Sequence, residues 1–163
     1  MIALTLDVNG GMRKAVVEDR MSLLDCLRDA LGLHGTHAGC EHGVCGTCTI
    51  LLDGEPVRAC LMLAAQAEGH AITTIEGVAP RPGEMSIVQD AFCETHGLQC
   101  GYCTPGMVLT AEALLTTNPA PSRADIITAI SGNLCRCTGY GQIVEAILLA
   151  AERRRGTNQR EVP

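Results

Sequence analysis

Ile2, Leu4, Leu6 and Val8 alternate with Ala3, Thr5 and Asp7, the period of a half-buried strand. Asn9-Gly10-Gly11 reads as a hairpin turn, and residues 13–17 as the return strand. The period then changes. Ser22 is placed as a helix N-cap, with Asp25 in capping-box register. Leu23, Leu24, Leu27 and Leu31 form one apolar helical stripe, which Gly32 is suited to end. After a glycine-rich loop, Thr49–Leu52 and Pro56–Ala59 flank Asp53-Gly54-Glu55 as a second hairpin. A short apolar segment at 61–67 and a strand at 72–75 complete a β-rich half.

From residue 86 the pattern is helical. One helix is expected over about 86–96. Thr104 as N-cap and Pro105 as N1 start another that runs toward Leu115. Residues 118–122, NPAPS, break it. Ser122 with Asp125 starts a third helix, ended by Gly132. A fourth covers about 140–154, with Ile143, Val144, Ile147, Leu148 and Ala151 as its stripe. The chain therefore divides into a β-rich domain over 1–77, a linker over 78–85 rich in Gly and Pro, a four-helix domain over 86–155, and a flexible tail over 156–163. No internal repeat is visible.

Composition sharpens this picture. Phe92, Tyr102 and Tyr140 are the aromatic residues and Trp is absent, so two small cores must be built from aliphatic side chains. Small cores usually need an added staple, and ten cysteines are available. The N-terminus has no basic n-region, long apolar stretch, cleavage site or twin-arginine signal. No run approaches the roughly 18 apolar residues of a membrane span. The expected location is the cytoplasm, where disulfides are rare, leaving metal sites or redox thiols. A net charge of −6 argues against a nucleic-acid grip. The basic stretch 152–160 reads as cations at a helix C-terminus followed by a frayed end.

Cys40, Cys45 and Cys48 give C-x4-C-x2-C, followed by Cys60. That is the plant-type [2Fe–2S] spacing. Gly39, Gly43 and Gly46 let the loop curl and turn N–H groups toward the cluster sulfurs. Zinc is the competing reading, but it favours paired C-x2-C knuckles. A Rieske centre needs two histidine ligands, and four cysteines are already present. The five histidines read as surface groups or as neighbours of the ligands. In the second half, Cys100 and Cys103 are followed by Cys135 and Cys137. If the helices over 105–115 and 122–131 run antiparallel, these four thiols converge. On spacing alone that set could hold zinc or a [2Fe–2S] cluster. Cys26 and Cys93 fall in expected helices and read as buried, inert thiols.

The stretches GCEHGVCGTCTILLDGEPVRAC, GLQCGYCTPGM and GNLCRCTGY, in that order, resemble the iron–sulfur small subunit of the molybdenum hydroxylases, the xanthine oxidase family. The resemblance spans roughly residues 2–152. It implies an α+β chain, with an N-terminal β-grasp plant-type ferredoxin domain and a C-terminal four-helix bundle. It also implies a [2Fe–2S] cluster at the second site. Electrons would pass from molybdenum–pyranopterin on a large subunit, through the helical-domain cluster and then the ferredoxin-domain cluster, to FAD on a medium subunit. A chain of 163 residues leaves no room for those cofactor domains, so they are expected on separate subunits. The resemblance places Gln99 in a hydrogen bond to the molybdenum cofactor and Cys137 as the ligand nearest the pterin. It implies a dimer of heterotrimers and no substrate chemistry on this chain. An exposed docking face is expected on the helical domain, including Met107 and the 143–151 stripe. A free-standing two-cluster ferredoxin and a structural zinc module are the competing functions.

Overall fold

The computed structural model describes residues 1–158. Strand β1 (Ile2–Val8) pairs antiparallel with β2 (Gly11–Val17) through the turn at Asn9 and Gly10, both with positive φ. Helix α1 (Leu23–Asp25) starts at Ser22, whose hydroxyl accepts the Asp25 N–H at 3.0 Å. The helix does not stay α-helical: Cys26–Ala30 is a π turn, with the Leu31 N–H donating to the Cys26 carbonyl. Strands β3 (Thr49–Leu52) and β4 (Glu55–Arg58) form the second hairpin, and β5 (Ala71–Thr73) closes a mixed sheet of order β2-β1-β5-β3-β4. β1 and β5 are parallel, and the other pairs are antiparallel. Leu23, Leu24 and Leu27 pack onto Leu4, Leu6, Val8, Ile50 and Ile72. Each fully buried aliphatic side chain contributes about 1.5–3 kcal/mol. A sheet grasping a single helix in this way is the β-grasp ferredoxin arrangement expected above.

Helices α2 (Ile87–Glu94), α3 (Thr104–Thr117), α4 (Arg123–Ile130) and α5 (Gly141–Asn158) build the second half. Ser86 and Ser122 cap α2 and α4 in reciprocal capping boxes. Phe92, Met107, Val108, Ile126, Ile143 and Ile147 form the core. A smaller apolar cluster of Leu51, Leu109 and Ala113 joins β3 to α3, so the halves share packing.

Several expectations are corrected here. Cys103, not Thr104, is the N-cap of α3; Thr104 is already helical, and its hydroxyl is buried without a partner. Met107 and the stripe at Ile143, Val144, Ile147 and Ala151 are buried in this domain's own core and cannot be a docking face. Cys26 is buried as expected, but Cys93 is exposed. Helix α2 turns Val88, Ala91 and Phe92 inward, which puts position 93 on its outer side. Helix α5 runs on to Asn158, three residues into the segment read as a tail, and 159–163 lie outside the described residues. No helix among the described residues is long and apolar enough to cross a membrane.

Candidate functional site

The loop from Gly39 to Cys48 turns on positive φ angles at Glu41, Gly43 and Gly46. Glycine is needed for space as well as for conformation: a Cβ on Gly39 would sit 3.1 Å from the Cys45 Sγ. Curled in this way, the loop aims N–H groups at Cys40, and the Cys45 N–H lies 3.4 Å from its sulfur. Hydrogen bonds from the backbone of Cys45 and then His42 bring the Cys40 thiol down to about 6. Cys48 is buried at the base of the loop, and burial pushes it up to about 11, with the hydrogen-bonded Cys60 thiol adding to the rise. Cys60 arrives on a 3-10 turn, Ala59–Leu61, directly after β4. Cys40 and Cys45 interact, as do Cys48 and Cys60, and Cys48 also interacts with Cys45, so the four thiols of the first site lie together.

The second group forms where the start of α3 meets the loop after α4. Cys103 caps α3, and Gly101, at φ +81°, turns the chain so that Cys100 precedes it on the same side. Burial pushes Cys103 up to about 12, with the Cys135 thiol as the next contribution. Cys135 itself is lowered. Its burial acts upward, but the Thr138 hydroxyl at 3.1 Å and backbone groups of Thr138 and Cys137 outweigh it. Cys137 pairs with Cys100, whose thiol raises it. Gly139 and Tyr140 take positive φ, and the Tyr140 hydroxyl accepts the Cys135 N–H at 2.9 Å. The one-residue spacing of Cys135 and Cys137 is therefore resolved by different partners: Cys135 meets Cys103, and Cys137 meets Cys100.

This grouping tests which metal centre the residues fit. One tetrahedral zinc needs its ligands converging on a single point. A [2Fe–2S] cluster takes four thiolates, two on each of its irons. Four thiols at each site fit that donor set.

A cavity of about 360 Å³ lies between the two loops, bordered by Cys45, Thr47, Tyr102, Cys103 and Cys135. Tyr102 crosses it. Its carbonyl accepts the Thr47 hydroxyl at 2.9 Å and contacts His37 Nδ1 at 2.8 Å, while its ring stacks on His37 at 4.6 Å. Its hydroxyl donates to the Ala38 carbonyl. Gln99, Cys100 and Cys137 are exposed. His34, His42, His70 and His96 are exposed as well, and His37 is half-buried. The sequence reading missed Asn133, Arg58 and Tyr102, which join the loops. The available signal was position: each lies within two residues of a cysteine assigned to a site.

Comparison with known proteins gives two matches along the chain. A family model described as "2Fe-2S iron-sulfur cluster binding domain" matches residues 6–73, and one described as "[2Fe-2S] binding domain" matches residues 74–148. The chain is 54% identical over 147 residues to caffeine dehydrogenase subunit gamma of Pseudomonas sp. (strain CBB1), covering 88% of this chain and 87% of that one. It is 50% identical over 152 residues to the nicotinate dehydrogenase small FeS subunit of Eubacterium barkeri, covering 93% and 96%. Its structure is similar to a chain of quinoline 2-oxidoreductase from Pseudomonas putida 86, with a TM-score of 0.91, 51% identity, and coverage of 95% and 97%.

Proposed function

The chain belongs to the iron–sulfur small subunits of the molybdenum hydroxylases, and we propose that its eight grouped cysteines are the ligands by which it serves there. It is the electron-transfer subunit of an oxidoreductase and carries two [2Fe–2S] clusters. Cys40, Cys45, Cys48 and Cys60 hold the first, and Cys100, Cys103, Cys135 and Cys137 the second. The observation that carries this assignment is that the fold gathers cysteines of both motifs, Cys40 and Cys45 with Cys100, Cys103 and Cys135, around one cavity. Each cluster, when bound, accepts and releases one electron at a time.

The chain's own residues shield, orient and connect these centres. Burial of Cys48 at the first site, and partial burial of Cys103 at the second, limit water on the inner side of each. The exposed Gln99 and Cys137 face outward at the second site, with Tyr102 and Leu134 about half exposed beside them. This rim is the proposed contact with the large subunit, Gln99 hydrogen-bonding the molybdenum–pyranopterin cofactor and Cys137 lying nearest to it. At the first site Val44 and Leu61 are more than half exposed, an apolar rim suited to a medium subunit carrying FAD. Electrons then run from the second site to the first. The assembly is proposed as a dimer of heterotrimers in the cytoplasm, where ten free cysteines are compatible with the redox state. Caffeine, nicotinate and quinoline, which name the relatives, are N-heterocycles, and the proposed substrate of the complex is of that class.

The purified complex tests this. It should hold about four iron atoms per small subunit, two for each cluster. Cys45→Ser should remove the first cluster's EPR signal, spare the second, and slow reduction of the flavin. Stoichiometric zinc, or loss of the second signal instead, would overturn the assignment.

A further inference from the structure

Asn133 is 1% exposed and lies two residues before Cys135. Its amide is engaged on both sides. Nδ2 donates to the Gly46 carbonyl at 3.0 Å and to the Thr49 hydroxyl at 3.2 Å. Oδ1 faces the Thr110 hydroxyl at 3.2 Å. Its backbone carbonyl accepts from the Tyr140 hydroxyl, which in turn accepts the Cys135 N–H. Arg58 extends the same network, donating to the Thr49 hydroxyl at 2.8 Å and to the Gly132 carbonyl at 2.7 Å.

Gly46, Thr49, Arg58 and Asn133 each lie within two residues of a cysteine of one of the two sites. Gly46 lies between Cys45 and Cys48, Arg58 two residues before Cys60, and Asn133 two before Cys135. Thr110 also bonds the carbonyl of Gly106, in the first turn of α3 after Cys103. The backbones approach closely enough to exclude side chains: a Cβ on Gly46 would lie 2.3 Å from the Gly132 carbonyl, and one on Gly106 would lie 2.6 Å from the Gly46 carbonyl. A buried amide with both donor hydrogens engaged, and its acceptor sharing the single Thr110 hydroxyl proton with the Gly106 carbonyl, holds its neighbours in one arrangement. Three ligand-bearing segments meet at this side chain, and Arg58 ties in the fourth through Thr49 and Gly132.

We propose that Asn133 is a positioning residue that sets the separation of the two cluster-binding loops, and thereby the rate at which electrons pass between them. This rests on the assignment of the eight cysteines made above. A purely stabilising amide would affect melting alone. A positioning amide also controls the magnetic interaction between two reduced, paramagnetic clusters, because that interaction depends steeply on their separation.

The test uses the assembled complex with Asn133→Leu, which keeps the branched side-chain skeleton and removes the amide. The expected result is full iron content and both EPR signals, with the spin–spin interaction measurably changed and transfer between the clusters slowed several-fold. The KM for substrate should be unchanged. A loaded variant with unaltered interaction and unaltered transfer overturns the proposal. If that variant fails to assemble, Arg58→Met breaks the same network at its half-exposed edge. An unaltered interaction and transfer rate there overturn it equally. A wild-type complex lacking iron would instead refute the ligand assignment itself, so the two failures are distinguishable.

Discussion

The backbone N–H of Leu134 donates to the carbonyl of Cys45 at 2.8 Å. One hydrogen bond therefore joins a cysteine of the first site to the residue bonded to Cys135 of the second. The Leu134 side chain is 52% exposed, so what this residue contributes is its backbone. Proline at 134 removes the donor and biases Asn133 toward extended conformations. Leu134→Pro should cost about 1 kcal/mol or more and slow transfer between the clusters, whereas Leu134→Ala should do neither. Thermal melting and stopped-flow reduction of the loaded complex measure both effects. Indistinguishable Pro and Ala variants would remove this bond from the account.

Gly46 and Gly10 separate conformational from steric cost. Both have φ just above +70°, but a Cβ on Gly10 meets nothing within 4 Å, while one on Gly46 runs into the Gly132 carbonyl and lies 3.0 Å from the Asn133 Cα. Both obstacles are backbone and cannot rotate aside. Gly10→Ala should cost about 1 kcal/mol, the left-handed penalty alone. Gly46→Ala should add about 1–3 kcal/mol of overpacking and should disturb both EPR signals, since the two loops touch there. Equal melting temperatures for the two variants would contradict this reading of the contact.

The elements with strong local signals were legible. Alternation of Ile2, Leu4, Leu6 and Val8 and the hydroxyl caps at Ser22 and Ser122 each produced the element they predict. The misreadings share a physical cause. Thr104 looks like a cap because its type favours one, yet the chain uses Cys103 there, so a cysteine that faces the second site also begins the helix. Met107 and Ile143 look available because periodicity marks an apolar face without saying what covers it; here the domain's own helices do. Cys93 was judged from its helix rather than from its face of that helix. Asn133 was overlooked because its partners Gly46 and Thr49 are more than eighty residues away, a relationship that no local pattern encodes.

Acid should weaken the cap of α4. The hydrogen bond with the Ser122 side chain, and then the Ser122 N–H at 2.8 Å, hold the Asp125 carboxyl below its usual value of 3.8. A folded-state pKa below the unfolded one stabilises the fold above the unfolded value, and the contribution disappears as pH falls through the folded value. At neutral pH the wild type should therefore melt above Asp125→Asn, and the gap should close only below about pH 4. Melting curves of the pair over that range check it; the difference between variants is the readout, because loss of iron in acid affects both alike. A gap that widens in acid would reverse the proposed sign.

Gln99 stands at the outer edge of the second site. It is exposed and adjacent to Cys100, whose thiol meets the equally exposed Cys137. An exposed amide contributes little to folding, so Gln99→Ala should leave stability within about 0.5 kcal/mol and iron content unchanged. If the amide instead contacts the molybdenum cofactor of the large subunit, its loss should weaken communication across that boundary. Reduction of the clusters by substrate should slow, while their reduction by dithionite, which bypasses the molybdenum centre, should proceed at the wild-type rate. An amide that acts only across that boundary should lower kcat and leave KM nearly constant. Substrate-driven reduction at the wild-type rate, with the cofactor fully retained, would leave Gln99 an ordinary surface residue and move the boundary contact elsewhere on the rim.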